Sequence, residues 1–122
     1  MATREPLPKD KISPEAGAAI AAFYPDAVAE VSKAVQEHRV VVVGMASNPF
    51  VRKVRAALTK ANVSFHYIEY GGYTSQWQKR LAIKLWSGWP TFPQVFVNGV
   101  LIGGYQDTEK RLAAGSLLSL VP

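Results

Sequence analysis

A chain of 122 residues, 48% hydrophobic and 19% charged, has enough apolar material for one core and the usual size of one domain. The complete absence of cysteine excludes disulfides, thiolate or iron–sulfur ligation by the chain itself, and any thiol redox step of its own. A formal charge of +5 favours acidic partners without choosing among small anions, nucleic acid and anionic protein surfaces. No apolar run approaches the roughly 18 residues of a membrane span, and the polar opening Met1 to Asp10 is unlike a secretory signal, so a soluble cytoplasmic protein with no membrane partner is expected.

The first dozen residues, rich in proline and charge, read as a loosely docked arm. Ser13-Pro14-Glu15 supplies an N-cap, a first-turn proline and a first-turn acid for a helix carrying Ile20 and Phe23 at helical spacing. Tyr24-Pro25-Asp26 interrupts it and opens a second helix with an apolar stripe of Val28, Val31 and Val35. His38, beside Glu37 and Arg39, falls where that helix ends and reads as a partner of its terminal carbonyls. His38 and His66 are too far apart in sequence for a local metal motif, and no metal site is expected.

Val40-Val41-Val42-Val43 is β-branched without polar alternation, as in a central strand buried on both faces. Asn48-Pro49 starts a helix running to about Ala61, with Val51, Val54, Leu58 and Ala61 inward and Arg52, Lys53, Arg55 and Lys60 outward. The next strand, Phe65 to Glu69, completes a crossover unit and so lies parallel to the first. After the turn at Tyr70-Gly71-Gly72-Tyr73, the spacing of Trp77, Leu81 and Leu85 predicts a core-facing stripe, with Gln76, Lys79, Arg80 and Lys84 on the polar sides. Val95-Phe96-Val97 and Val100-Leu101-Ile102 flank Asn98-Gly99, a two-residue hairpin turn needing positive φ at both positions. Gly103-Gly104 then turns the chain into a last helix containing Leu112, which Gly115 stops.

The order helix, strand, helix, strand, helix, hairpin, helix defines a small mixed-sheet α/β domain. With Ser87-Gly88-Trp89-Pro90-Thr91-Phe92-Pro93 before the hairpin, Gly103-Gly104 after it, and Arg80 eleven residues before Thr91, the segment from about Val40 to Leu120 resembles the monothiol glutaredoxins of the thioredoxin superfamily. The resemblance implies a thioredoxin-like (glutaredoxin) fold, a four-stranded mixed sheet flanked by helices, with residues 1–38 as an N-terminal arm and helical extension and residues 39–122 as the glutaredoxin-like domain. It also implies a cis Phe92-Pro93 bond, with the Phe92 backbone open to the cysteinyl part of glutathione; a trans proline opening a strand is the alternative.

By the same resemblance the family's active-site tetrapeptide, Cys-x-x-Cys or Cys-Gly-Phe-Ser, falls on Asn48-Pro49-Phe50-Val51. A carboxamide cannot become a thiolate, and valine cannot complete a disulfide. The thiolate-stabilising lysine is replaced by Met45, and the terminal Gly-Gly-Cys-Asp-Asp pattern reads Gly103-Gly104-Tyr105-Gln106-Asp107. The implied groove for glutathione comprises Asn48, Phe50, Arg80, Thr91, Phe92, Pro93, Gly104, Tyr105, Gln106 and Asp107, with no catalytic residue and no required cofactor. Several have structural readings: Asn48 and Asp107 as N-caps, Arg80 as a solvated helix cation, Tyr105 as a core cover.

Three functions are compatible with these residues. One is a redox-inactive binding module for glutathione, a γ-glutamyl peptide or an extended peptide. A second is a transferase in which Ser47, Asn48 or Tyr105 donates to the ligand's own thiolate. The third is a protein-interaction domain, with an unidentified protein partner, that has lost the small ligand. Nucleic acid is not an expected partner: Trp77 at its helical spacing and Trp89 in the scaffold leave little for base stacking beside Lys79, Arg80 and Lys84.

Overall fold

The computed structural model describes residues 2–119; Leu120 and the rest of the expected domain's end lie outside the described residues. Strand β1 (Val40–Gly44) is buried throughout, and the sheet is built around it. Its neighbours are β2 (His66–Glu69), parallel to it, and β3 (Gln94–Val97), antiparallel; β4 (Val100–Gly103) pairs antiparallel with β3, giving the order β2-β1-β3-β4. Five α-helices accompany the sheet: α1 (Pro14–Ala22), α2 (Pro25–Glu37), α3 (Pro49–Lys60), α4 (Trp77–Ser87) and α5 (Tyr105–Ala114). This is the thioredoxin-like fold, with its helical N-terminal part. Among the described residues no helix is long and apolar enough to cross a membrane.

Alternation along β1 divides the core. Val41 and Val43 pack with Ala27, Val31 and Ala34 of α2 and Ile83 of α4, whereas Val40 and Val42 pack with Val54 and Leu58 of α3 and with Leu112 of α5. The hairpin forms at Asn98-Gly99 with φ of 51° and 81°, the left-handed pair such a turn requires. Arg39, the residue before β1, brackets this turn: its Nε donates to Asn98 Oδ1 (3.2 Å) and its Nη2 to the Leu118 carbonyl (2.9 Å). Gly115, at φ 68°, ends α5.

Several helix faces differ from the periodicity. Helix α1 is capped by Ser13, whose Oγ accepts from Ala16 N–H (3.1 Å), yet it buries none of its residues, and Ile20 is exposed. Helix α2 buries Ala27, Val31 and Ala34, leaving Val28 and Val35 at the margin. Strand β2 begins at His66 instead of Phe65, and Ala61 caps α3 in solvent. His66 is exposed and stacks on His38, with centroids 4.2 Å apart and planes 2° apart, so His38 meets an imidazole across the fold.

The largest correction is on α4. Trp77 and Leu85 are 57% and 62% exposed, while Arg80, Ala82 and Ile83 are buried, so the buried face is on the far side of the helix from the expected stripe. Ala82 allows α2 to lie close, and Arg80 goes inward because its charge finds backbone acceptors there. Arg80 is 7% exposed, and its Nη1 donates to the carbonyls of Tyr70 (2.8 Å) and Ser75 (2.6 Å). Tyr70 is itself fastened to α2, its hydroxyl donating to Glu30 and to the Ala27 carbonyl (3.3 Å). Burial, then the Glu30 carboxylate, push the Tyr70 phenol well above its ordinary range.

Two substitutions test this packing. At Gly44 a Cβ would lie 2.7 Å from Val51 Cγ1 and 3.0 Å from Tyr67 Cε1, so Gly44→Ala is expected to lower stability by about 1–3 kcal/mol. Arg80→Met leaves the Tyr70 and Ser75 carbonyls without their donor and is expected to cost about 1–3 kcal/mol, read as a lower urea midpoint at unchanged slope. An Arg80→Met midpoint equal to that of the unsubstituted chain would refute the structural role.

Candidate functional site

The carboxyl end of β1, the corner preceding β3 and the start of α5 meet at a cleft of about 550 Å³. The cause is register: Val43 pairs with Gln94, and Val95 with Gly103, so residues just beyond those pairs emerge at the same end of the sheet. The cleft brings together Asn48, Phe50, Thr91, Phe92, Pro93, Gly104, Tyr105, Gln106 and Asp107. Arg80 is the exception among the expected residues; it does not line the cleft, and it holds the 70–75 loop from beneath.

Asn48 closes the N-terminus of α3. Its Oδ1 accepts from the N–H groups of Phe50 (2.9 Å) and Val51 (3.1 Å), its carbonyl takes Arg52 N–H (3.2 Å), and Pro49 has no N–H to satisfy. The first-turn donors of this helix are therefore committed. What Asn48 still offers the cleft is its Nδ2 amide, which donates to no acceptor among the described residues.

Across the cleft, Phe92-Pro93 is cis, and the β1–β3 ladder begins only at Gln94, so the Phe92 backbone takes no part in it. Gln94, fully buried, donates its Nε2 to the Trp89 carbonyl (3.0 Å) and ties the corner to β3. Gly104 caps α5; a Cβ there would meet the Pro93 carbonyl at 3.4 Å and the Trp89 indole at 3.7–3.8 Å, ordinary contact distances that place the corner and the helix start side by side. Asp107 is the third residue of α5 rather than its N-cap, and its Oδ2 accepts from Gly104 N–H (3.1 Å). The buried Thr108 hydroxyl donates to the Gly104 carbonyl (2.8 Å).

Tyr105 lines the cleft, but its hydroxyl donates to Glu109. That bond to a carboxylate raises its pKa, so the phenol is a poor acid and its proton is already engaged. Its ring lies 6.3 Å from that of Phe50, tilted by 41°, and Lys53 Nζ stands 5.4 Å and 5.8 Å from the two centroids.

Six lining residues, Pro49 and Pro90 among them, were not singled out for the groove from sequence. Lys84, one turn beyond Arg80 on α4, lines the cleft with its Nζ 5.6 Å from the Phe92 ring, and it is the cation that reaches where Arg80 was expected. Tyr73 forms an exposed rim, while Met45 and Trp89 line the walls. The Lys84 signal was its place four residues after Arg80, on the same helix face. Residues 70–106 contain no aspartate or glutamate, so Lys84 faces no local acid from its own segment.

A larger hollow, about 810 Å³, lies at the opposite end of the sheet near His38, Arg39, Trp86 and Asn98. Its arginine is occupied in the bracket to Asn98 and Leu118, so the cleft at Asn48 is the better candidate. Among the described residues no cluster of three or more histidines or carboxylates could hold a metal ion. The parallel stacking of His38 on His66 keeps their nitrogens from converging on a shared ion.

The family model described as Glutaredoxin matches residues 40–102. The chain is 50% identical over 97 residues to a glutaredoxin-like protein of Dictyostelium discoideum, covering 80% of this chain and 79% of that protein. It is 33% identical over 88 residues to glutaredoxin 1 of Rickettsia conorii, covering 70% and 85%. Among solved structures, wheat glutaredoxin aligns with a TM-score of 0.67 at 33% identity over 78% of this chain and 90% of that one. A buckwheat glutaredoxin–glutathione complex aligns with a TM-score of 0.68 at 21% identity over 78% and 86%, a likeness of fold alone. With its family segment spanning β1 to β4 and half of its aligned residues shared with the Dictyostelium protein, this chain belongs to the glutaredoxin family.

Proposed function

We propose that this glutaredoxin-family chain is a redox-inactive binding module whose cleft takes glutathione or a related γ-glutamyl peptide. The observation that carries this proposal is the coexistence of an assembled cleft with a carboxamide, Asn48, committed to capping α3 where the family resemblance calls for a thiol. The chain supplies no thiol of its own.

The chemistry of the cleft suits a tripeptide with charged ends. The N–H groups at the start of α5 and the carboxylate of Asp107 complement an α-amino-carboxylate head. The backbone of Phe92 complements an extended peptide, and Lys84 complements a second carboxylate. A ligand bound in this sense directs its central side chain towards Asn48, Met45 and Phe50. The buckwheat glutaredoxin–glutathione complex, of the same fold, supports glutathione as the ligand class.

A protein-interaction role is a second reading, favoured by the exposure of Trp77 and Leu85 on α4, outside the cleft.

Calorimetric titration with reduced glutathione is expected to give saturable binding, weakened about threefold to fivefold by Lys84→Gln, the yield of a solvent-accessible ion pair. The purified chain is expected to reduce a glutathione mixed disulfide no faster than the buffer control. Absence of saturable binding at millimolar glutathione would leave only the protein-interaction reading, and reduction above background would end the assignment of redox inactivity.

A further inference from the structure

We infer that the cleft prefers a γ-glutamyl-cysteinyl peptide whose sulfur is already capped as a thioether by an apolar group over the same peptide with a free thiol. This rests on the ligand class proposed above and adds the state of its sulfur.

The surroundings of the ligand's central side chain carry the inference. A thiolate needs unpaired donors or a close cation. The α3 N-terminus offers neither, because Phe50 N–H and Val51 N–H are both held by Asn48 Oδ1, Arg52 N–H is held by the Asn48 carbonyl, and Pro49 has no N–H. The Tyr105 hydroxyl is given to Glu109. Met45, buried, stands in the position for which the family resemblance calls for a lysine. Lys53 is outside the cleft lining, its Nζ lying over the Phe50 and Tyr105 rings. Of the other polar groups lining the cleft, Lys84 is assigned above to a ligand carboxylate, Asp107 is an anion that disfavours a second negative charge, and Thr91, Gln106 and the Asn48 Nδ2 amide are neutral.

Apolar surface at the same place is unusually open. Phe50 is 49% exposed and Tyr73 is 68% exposed, and both line the cleft, with Tyr105 tilted against Phe50. Free glutathione ends at its sulfur and leaves these rings in water. A hydrocarbon group on that sulfur covers them, and a thioether sulfur itself packs favourably against aromatic rings. No bond is made or broken in this binding, so no co-reactant is required.

The test is a calorimetric series with reduced glutathione, S-methylglutathione and S-benzylglutathione on the full chain. S-benzylglutathione is expected to bind about tenfold tighter than reduced glutathione, and Phe50→Ala to reduce the ratio of S-benzyl to S-methyl affinity to about twofold or less. Raising the pH through the thiol range, about 8.5, is expected to weaken reduced glutathione relative to S-methylglutathione, because only the former becomes charged at sulfur. Reduced glutathione binding as tightly as the S-benzyl conjugate, or tightening relative to S-methylglutathione as its thiol ionises, would overturn the inference while leaving the proposed ligand class intact. Failure of all three compounds to bind would overturn both.

Discussion

The antiparallel register of β1 with β3 is the constraint on which the rest of the molecule depends. Setting Val43 opposite Gln94 fixes which residues leave the sheet together, and a shift by one residue would turn the Val40–Val43 side chains to the opposite faces. Those side chains pack against α2 and α4 on one face and against α3 and α5 on the other, so the register is held by two half-cores at once. The cleft follows from it. Asn48, the Phe92-Pro93 corner and the α5 N-terminus are distant in sequence and adjacent only because three strands end at the same level.

The cleft combines a polar frame with an apolar interior. Asp107 and Lys84 stand at opposite roles in charge, while Met45, Phe50 and Trp89 supply the surface between. In such a setting each donor counts, since an uncompensated charge held away from water is costly. Asn48 gives its oxygen to the helix and keeps its amide for the cleft, so one side chain serves stability and ligand chemistry simultaneously. Arg80 serves the cleft at one remove, by fixing the loop that carries Tyr73.

Much of this was legible in the sequence where local chemistry decides the outcome. Asn48-Pro49, Asn98-Gly99 and Gly115 each demand a particular backbone geometry, and each has it. The strand of four valines was legible because nothing in it tolerates water. The α4 face was not, because Trp77, Leu81 and Leu85 have the spacing of a core stripe, while the arginine that displaced them is buried only by virtue of two carbonyls supplied by a loop. Periodicity records hydrophobicity and is blind to hydrogen bonds made from elsewhere in the chain. The histidine stack and the place of Lys84 were hidden for the same reason, since both depend on which elements become neighbours.

The bracket made by Arg39 joins residues 59 and 79 positions apart in the chain. A polypeptide is synthesised from its N-terminus, so β1 emerges from the ribosome long before either the strand that pairs with it antiparallel or the carbonyl at Leu118 that accepts from Arg39. Until β3 follows, its valines have only α2, α3, β2 and α4 to lie against. The sheet thus closes around β1 only once β3 has followed, and a chain halted before β3 would present its most apolar strand with one edge unpaired.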